Sequence, residues 1–403
     1  MPKTVTFLTV GDLEETSAVG RYFPIAKELV KRGFNVNCVA LHHDYKTLKT
    51  KYFTQDNINV FYVGQMSVLK IGNKKYYFGI AKLLSVVFLA IFKMIWKSLS
   101  IKTDVYYCFI PQPVNGFASL VCKLIKNKPL LLDCDDYEAS SSKLSPFQRF
   151  VFRFFENNLP RISERVTHNT YFIKEHFLSL GYDPDKFIYI PDEADLDRLY
   201  ICDKNKVDDL RKALCLENKK VILYFGSISL NFGHAIDLLI ESFPMVKKKI
   251  PEAVLLITGR GDAFDEMKAL AERIDKDSII FTGRLPLEDL KYYLRLGHIS
   301  VDPVRDHISN KARYGIRNAE SIALGIPVVT SDIGDRRKML KDGNLGILVK
   351  IDDAYSLAEG ITKILKDDDL RDKMSRNCLE SLKEHNWGIS VDNIIKYTPC
   401  LKD

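Results

Sequence analysis

Residues 4–40 read TVTFLTVGDLEETSAVGRYFPIAKELVKRGFNVNCVA, and this stretch decides the fold class of the chain. It begins with a β-rich apolar run, Gly11 opens a loop, and residues 22–30 have the apolar spacing of a helix. Gly33 is placed to cap that helix, and a second apolar run follows at 34–40. A strand, a helix and a strand in this order form a βαβ unit, which is typical of a parallel sheet.

The same alternation recurs along the rest of the chain. Further strands are predicted at 104–109, 129–133, near Val166, and at 187–190, 220–226, 254–259, 278–283 and 327–330, with helical patterns at 116–125 and 146–159. The polar, aperiodic stretch at 192–206 is predicted to be a linker. The sequence therefore predicts an α/β protein with two doubly wound domains in tandem.

Length, charge and cysteine usage limit the function classes. The chain has 403 residues and a net charge of +7, which suits anionic substrates or an anionic membrane surface but is too weak to indicate nucleic acid. None of the eight cysteines forms a CxxC pair or lies near a histidine at zinc-ligand spacing, so we predict reduced cysteines and no metal centre. The most apolar run, 83–92, is too short to span a membrane, and no signal peptide is recognisable, so we predict a cytoplasmic protein.

Three strands of the second predicted domain end in glycine, at Gly226, Gly259 and Gly283. Ser227, Arg260 and Arg284 follow these glycines directly. In an open parallel sheet, ligands bind beyond the carboxyl ends of the strands, where glycine allows close approach of the backbone. Each glycine taken alone is explained by a turn and each arginine by solvation, but the three together favour an anion or nucleotide site.

The strongest local motif is residues 314–329, YGIRNAESIALGIPVV. It resembles the signature of the GT-B glycosyltransferases, specifically the large retaining family 4. That signature has an aromatic-Gly pair, a Glu that starts a helix, and then Ala-x-Gly-x-Pro-Val-Val. The matching positions, in order, are Tyr314, Gly315, Glu320, Ala323, Gly325, Pro327, Val328 and Val329.

The resemblance is specific over 221–387 and mostly architectural before that. It implies a GT-B fold, with two doubly wound Rossmann-like domains facing across a cleft. Residues 1–200 would then bind the acceptor, 201–387 would bind the donor, and 388–403 would cross back to the first domain after the aromatic at Trp387.

The activity implied by the resemblance is transfer of a sugar from a nucleotide diphosphate sugar to a carbohydrate or lipid-linked glycan, with retention and with no cofactor or metal. Glu320 would accept hydrogen bonds from the ribose hydroxyls; the alternative is an ordinary first-turn helix acid. The predicted donor site also includes Lys311, Tyr314, Gly315 and Arg317. We predict catalytic roles for Asp135, Arg317 and Glu320.

The sequence departs from the family pattern at the phosphate-binding and sugar-binding positions. The family's second Glu is replaced by Ala312, and its Arg-plus-Lys pair falls on Ser227 and Phe232. Arg317 occupies a position where many relatives carry Lys, so Arg317, Lys311 and Arg313 are candidate substitutes. The alternative function is a catalytically weak GT-B homologue that binds sugar nucleotide or glycan as a partner subunit; a sugar-nucleotide epimerase has no diagnostic residue in this sequence.

On the acceptor side, the loop from Gly11 to Gly20 corresponds to the family's glycine loop, and Asp135 replaces a His that relatives often carry. Asp135, Asp136 and Glu138 follow a predicted strand and suit binding of acceptor hydroxyls. The alternatives are a divalent metal site and a helix N-cap run ahead of residues 140–142.

A lysine stripe marks a possible lipid contact. If 75–97 is one helix, Lys75, Lys82, Lys93 and Lys97 fall on one side of it, and no acid occurs between residues 66 and 102. Such a helix can lie on anionic lipid; the alternative is a helix packed on the sheet with one solvated edge. Peripheral association with an anionic membrane surface is therefore left open.

Overall fold

A computed structural model describes residues 2–14, 18–71, 74–140, 144–230 and 233–402. The chain packs into two units, the first formed by Met1–Pro191 with Trp387–Asp403 and the second by Asp192–Asn386. We predicted the change of domain after residue 200. The difference arises because Leu199 is fully buried in the core of the second unit.

The first unit is built on a predominantly parallel sheet. Its strands are β1 (Thr4–Thr9), β2 (Asn35–His42), β3 (Tyr52–Gln55), β4 (Ile58–Gln65), β5 (Val68–Ile71), β6 (Lys74–Tyr77), β7 (Val105–Phe109), β8 (Leu130–Cys134), β9 (Arg165–His168) and β10 (Phe187–Tyr189). Its helices up to residue 191 are α1 (Phe23–Lys31), α2 (Ile80–Ser100), α3 (Pro113–Lys126), α4 (Pro146–Ile162) and α5 (Tyr171–Ser179), with a π-helical turn at Ala18–Tyr22 and short 3₁₀ turns at Glu138–Ser140 and Pro184–Lys186. The strand order is β10-β9-β8-β7-β1-β2-β4-β3, and β5 and β6 form a separate hairpin.

The second unit contains a six-stranded, fully parallel sheet. Its strands are β11 (Lys220–Phe225), β12 (Ala253–Thr258), β13 (Ile279–Gly283), β14 (Ile299–Asp302), β15 (Val328–Ser331) and β16 (Gly346–Val349). Its helices are α6 (Leu196–Tyr200), α7 (Lys204–Ala213), α8 (Ile236–Lys249), α9 (Phe264–Asp275), α10 (Leu287–Leu294), α11 (Ile308–Ala312), α12 (Ile316–Ala323), α13 (Arg336–Met339), α14 (Ala354–Lys366) and α15 (Asp368–Ser381), with a 3₁₀ turn at Lys341–Gly343. The order β13-β12-β11-β14-β15-β16 reverses at β11, so the predicted doubly wound α/β architecture is confirmed.

The last helix, α16 (Trp387–Tyr397), and the 3₁₀ turn Pro399–Leu401 belong to the first unit. Trp387, Val391 and Ile394 are buried in the core that the first-unit strands form. On the surface of that contact, Nε of Arg32 donates to Oδ1 of Asp392 at 2.6 Å. The chain therefore returns to the first unit through apolar burial.

Truncating this apolar contact is expected to destabilise the first unit. Ile394→Ala removes a fully buried side chain and should lower the free energy of unfolding by about 2–5 kcal/mol. Deleting the residues from Ser390 onward should lower the unfolding midpoint further. Lys396→Ala, on the same helix, is the matched control; an unchanged midpoint for Ile394→Ala would show that the helix adds no stability.

Two predicted elements differ from the structure. The helix predicted at 75–97 begins only at Ile80, because residues 74–77 pair with 68–71 as a hairpin and Gly79 has extended backbone angles. The predicted linker at 192–206 contains α6 and the start of α7. Asp195 and Asp203 cap these two helices through their side chains, a signal that the polar composition concealed.

Candidate functional site

The carboxyl ends of β11 and β14 lie side by side in the second unit, at the point where the strand order reverses. In an open α/β sheet this is the position at which ligands bind. β11 ends at Phe225 and is followed by Gly226 and Ser227, whereas β14 ends at Asp302. The residues around Asp302 therefore form the candidate site.

Asp302 joins two arginines that come from different helices. Its Oδ1 lies 2.7 Å from Nη2 of Arg317 on α12, and its Oδ2 lies 3.3 Å from Nη2 of Arg336 on α13. Nη2 of Arg317 also lies 3.1 Å from Nδ1 of His234, and its Nη1 donates to the carbonyl of Phe225 at 3.2 Å. We call Asp302, Arg317, Arg336 and His234 the arginine cluster.

The charges of the arginine cluster follow from its burial. Burial raises the pKa of the Asp302 carboxyl, but Arg317 and Arg336 outweigh this effect and bring it to about 2. Burial, with Arg317 close by, lowers the pKa of His234 to about 3, so this imidazole is neutral at pH 7. Two guanidinium groups and one carboxylate remain, so the cluster carries one net positive charge.

Only one of the two guanidinium groups is open to solvent. The Arg317 side chain is 15% exposed, whereas that of Arg336 is 2% exposed and also donates to the hydroxyl of Thr330 and the carbonyl of Asn310. Arg317 also stacks over the Tyr224 ring, 5.2 Å from its centroid. An anion would therefore meet Arg317, and Arg336 would hold Asp302 behind it.

The glycines predicted to admit a ligand are explained mainly by packing. A Cβ at Gly226 would come within 2.7 Å of Cδ of Arg317, and one at Gly259 would overlap the carbonyl oxygen of Gly226 at 1.8 Å. Both have positive φ, 122° and 136°. A Cβ at Gly283 (φ 75°) would meet nothing within 4 Å, so this glycine fits the turn explanation. The side chain of Arg317 thus covers Gly226, the glycine that follows β11.

Glu320, the predicted ribose ligand, is buried on α12 and already has a cationic partner. Nη2 of Arg198 on α6 donates to its Oε1 in a short ion pair. Burial raises the pKa of Glu320, and Arg198 opposes that shift. Sequence analysis missed Arg198; the N-cap Asp195 three residues earlier was the available signal, since it places Arg198 on a helix.

The remaining predicted donor residues are spread over the same unit. Tyr314 is buried, and Gly315 (φ 96°) precedes α12, where the turn requires glycine. Lys311 pairs with Asp306 at 2.7 Å near the surface. Arg260, Arg284 and Ser227 are all exposed, and the Arg260 guanidinium lies over the Phe264 ring. Phe232 lies outside the described residues, and Ala312 is buried on α11.

In the first unit, two of the predicted acceptor-side residues, Gly20 and Asp135, lie next to a buried ion pair. Nε and Nη2 of Arg21 donate to the two carboxylate oxygens of Asp133 at 2.9 and 3.0 Å. Asp135 lies near this pair, with Oδ2 3.9 Å from Nε of Arg21, and Gly20 precedes Arg21 in the π-helical turn. The carbonyl of Gly11 accepts a hydrogen bond from Tyr22 at 3.3 Å. Asp136 is partly buried, directly after Asp135.

The side chains that could ligate a metal ion come together at a different place from the three carboxylates that the sequence analysis considered. Within the described part of the chain, Asp12, His42 and His43 are the only three such residues with ligand atoms within 4.8 Å of one another; Asp135, Asp136 and Glu138 do not form such a group. However, Nδ1 of His42 accepts the Asp44 amide at 3.0 Å, so its Nε2 carries the proton of the neutral ring. This arrangement favours hydrogen bonding over metal coordination.

Comparisons with known proteins agree with this architecture. Residues 206–380 match the family model of Glycosyl transferases group 1. A phosphatidyl-myo-inositol mannosyltransferase of Mycobacterium leprae (strain TN) is 27% identical over 177 residues, 44% of this chain and 46% of that protein, so the chain matches about half of that relative's length.

Two solved structures share the fold over nearly the whole chain. HepE of Anabaena, solved in complex with UDP and glucose, has a TM-score of 0.73 at 17% identity and covers 98% of this chain and 99% of its own. Sucrose-phosphate synthase of Thermosynechococcus elongatus has a TM-score of 0.75 at 18% identity, with 98% of each chain covered. The predicted GT-B fold and the resemblance to group 1 glycosyltransferases are thereby confirmed.

Proposed function

We propose that this chain is a glycosyltransferase that moves a sugar from a nucleotide diphosphate sugar to a carbohydrate or lipid-linked glycan. The observation that carries the proposal is the arginine cluster, which places one accessible guanidinium at the strand ends where an α/β sheet binds its ligand. This cluster lies inside the segment that matches the glycosyltransferase family model.

The proposed chemistry depends on stabilising the leaving diphosphate. Negative charge grows on that group as the bond to the sugar breaks, and a fixed cation lowers the energy of the transition state most. Arg317 can meet two phosphate oxygens in parallel, and Arg260 and Arg284 add solvent-accessible cations at the ends of β12 and β13. These cations support metal-independent transfer as part of the proposal, and retention is included in it because of the resemblance to family 4.

Glu320 would bind the ribose with the carboxylate oxygen that Arg198 leaves available. Arg198 contacts Oε1, so Oε2 can accept a hydroxyl while the ion pair persists. Nη1 of Arg198 is buried and has no hydrogen-bond partner among the described residues, so it can donate to the same sugar. In the first unit, Asp135 and Asp136 would accept hydrogen bonds from acceptor hydroxyls.

A ligand panel tests the donor site. Thermal unfolding is measured with UDP, GDP, ADP and their sugars; a ligand at 100 times its Kd should stabilise by about 2.7 kcal/mol. The sugar nucleotide that binds is then incubated with candidate acceptors, with and without EDTA, and we expect equal turnover in both. Loss of turnover in EDTA that magnesium or manganese restores would contradict metal independence.

The alternative is a partner subunit that binds sugar nucleotide or glycan without transfer. It is favoured by the buried Ala312, which has no carboxylate for donor-sugar hydroxyls. Binding in the panel without turnover on any acceptor would favour this alternative. No binding of any nucleotide or sugar nucleotide in the panel would contradict the proposed transferase and would leave only a partner subunit that binds glycan.

We further propose that the first unit docks on an anionic membrane surface. If α2 were simply packed on the sheet with one solvated edge, its apolar side chains would be buried. Several of them are exposed instead: Phe88 is 70% and Trp96 69% exposed, and Ile80, Leu84 and Phe92 are also exposed. α3 packs against both α2 and α4, and α4 adds three exposed aromatic residues, Phe147, Phe150 and Phe154. We call these exposed residues of α2 and α4 the apolar face.

The positive charge around the apolar face favours an anionic lipid surface as its binding partner. Residues 66–132 contain ten lysines and one acid, Asp104. Nζ of Lys93 lies 5.1 Å from the centroid of the Tyr45 ring, and Nζ of Lys97 lies 3.7 Å from that of the Phe61 ring. These two cations therefore lie next to the apolar face and are not part of it. Aromatic residues flanked by lysines are typical of helices that lie in an anionic bilayer interface.

None of the helices in the described ranges combines the length and apolarity needed to cross a bilayer.

Vesicle flotation is expected to report this docking. Phe88→Ser with Trp96→Ser should weaken binding to vesicles containing phosphatidylglycerol by about tenfold or more, because each change removes an aromatic side chain from the interface. Lys82→Glu with Lys93→Glu should weaken it too, and salt should reduce it. Tyr355→Ser, an equally exposed aromatic on α14, is the control. Equal binding to neutral vesicles, or none to either, would contradict the proposal.

A further inference from the structure

A second arrangement of polar side chains lies in the first unit, at the carboxyl ends of β1 and β2. These strands are parallel neighbours, paired from Thr4 with Asn35 to Thr9 with Ala40, so the loops that follow them meet at one edge of the sheet. Asp12 comes from the first loop and is fully buried. His43 comes directly after β2, and its side chain is 15% exposed. The sequence analysis assigned the loop that contains Asp12 to the acceptor side but gave no role to Asp12 or His43.

Asp12 fixes the ring of His43. Its Oδ2 accepts the backbone N–H of His43 at 3.1 Å and lies 2.7 Å from Nδ1 of the same residue. Its Oδ1 accepts the N–H of Glu14 at 3.0 Å. An ionised carboxylate only accepts hydrogen bonds, so the proton of the neutral imidazole is on Nδ1. In this neutral tautomer, Nε2 of His43 carries the unshared electron pair and can accept a hydrogen bond.

The surrounding contacts hold this ring in one position. The carbonyl of His43 accepts from the side-chain amide of Gln65, and the ring stacks on His42 with centroids 4.4 Å apart. The loop itself is held where the Leu13 amide donates to the hydroxyl of Tyr62 at 3.1 Å. A ring fixed through its backbone, its Nδ1 and its face is a preorganised hydrogen-bond acceptor.

The neighbour of the free nitrogen is a second acceptor. Oε2 of Glu14 lies 3.6 Å from Nε2 of His43, and Oε1 lies 3.4 Å from Nε2 of His42. Glu14 is exposed, whereas Asp12 is buried beneath the ring. Two carboxylates beside one imidazole disfavour a phosphate or other anion, and two adjacent acceptors need a ligand with two adjacent O–H donors.

We infer that His43 and Glu14 bind two neighbouring hydroxyls of a neutral sugar, with Asp12 as the positioning residue that holds the ring and selects the Nδ1–H tautomer of the neutral imidazole. The inference deepens the proposed function, on which it rests: the sugar would be part of the acceptor. His43 would accept one hydroxyl and Glu14 the other, so a vicinal diol is the chemical feature recognised.

Direct observation of the ring tests this inference without any turnover. The protein is labelled with ¹³Cε1-histidine, and the His43 signal is assigned by its loss in His43→Gln. Titration with methyl α-D-mannopyranoside, methyl α-D-glucopyranoside and myo-inositol should move that signal saturably for at least one probe. Asp12→Asn should weaken this binding by about tenfold, since the side-chain amide can donate to Nδ1 and shift the ring proton to Nε2. The signal of His385, in the second unit, is the internal control.

Three outcomes would overturn the inference: no saturable shift with any of these probes, the same shift with inorganic phosphate, or undiminished binding in an Asp12→Asn variant of normal unfolding midpoint. Failure of the proposed function is recognised separately, because nucleotide binding by the second unit is measured with the ligand panel. Once an acceptor is known, His43→Gln should raise its KM about tenfold and leave the Kd of the nucleoside diphosphate unchanged.

Discussion

Replacing Asp302 by asparagine is expected to lower the free energy of unfolding by about 3–5 kcal/mol. The carboxylate is 1% exposed and is the shared partner of Arg317 and Arg336. Asparagine keeps the shape but leaves two guanidinium groups without their counter-charge, and breaking a buried pair from one side costs this much. For a unit of this size the unfolding midpoint should fall by about 10 °C.

The pH dependence of this effect has a defined sign. Because the pKa of Asp302 in the folded protein is lowered to about 2, its ionisation stabilises the fold at pH values above the usual aspartate pKa of about 4. That contribution is lost as the pH falls towards 2, so wild type and Asp302→Asn should become more alike between these values. Asp332→Asn, which removes the surface partner of Arg337, is the matched control and should cost less than about 1 kcal/mol.

A fall of under about 1 kcal/mol for Asp302→Asn, measured by thermal and chemical unfolding, would mean that solvent reaches the arginine cluster. In that case the arginines would be hydrated, and the depressed carboxyl pKa would not couple to folding.

The architecture could be predicted from the sequence because it depends on periodicity. Apolar runs that end in glycine, separated by helical spacing, specify parallel strands and crossover helices without knowledge of partners. The prediction failed where spacing gave no information. The helix start at Ile80 depends on a hairpin that pairs 68–71 with 74–77, and the exposed face of α2 depends on which side packs against the sheet.

The candidate site was only partly predictable for the same reason. Arg317 and Glu320 belong to a contiguous motif, so the sequence could indicate them. Asp302 and Arg198 reach the site from other elements, across 15 and 122 residues of sequence respectively, and only the fold brings their side chains to these partners. The sequence could not indicate the contact between Asp12 and His43 either, because the two residues meet only when β1 and β2 pair as neighbouring strands.

Replacing Arg317 by alanine is expected to lower kcat by about 10² or more, while the KM for the donor rises less. The prediction rests on the proposed function. Arg317 is the accessible guanidinium of the arginine cluster, and its contact with the leaving diphosphate should strengthen as charge develops there. Arg317→Lys should recover part of the loss, because an ammonium supplies the charge without two parallel hydrogen bonds. Steady-state kinetics with the donor found by the ligand panel measure both values.

Arg317 also balances Asp302, so its catalytic and structural contributions must be separated. Arg336→Ala removes the other guanidinium from the same carboxylate, yet its side chain is 2% exposed and cannot reach a bound nucleotide from behind Asp302. We therefore expect both alanine variants to lower the unfolding midpoint, but only Arg317→Ala to lower kcat in the fraction that remains folded. Lys311→Ala, which removes the surface pair with Asp306, should change neither quantity appreciably. Near-normal turnover in Arg317→Ala, together with loss of turnover in Lys311→Ala or Arg336→Ala, would move the phosphate site away from Arg317, since the charge that stabilises the leaving group would then come from α11 or α13.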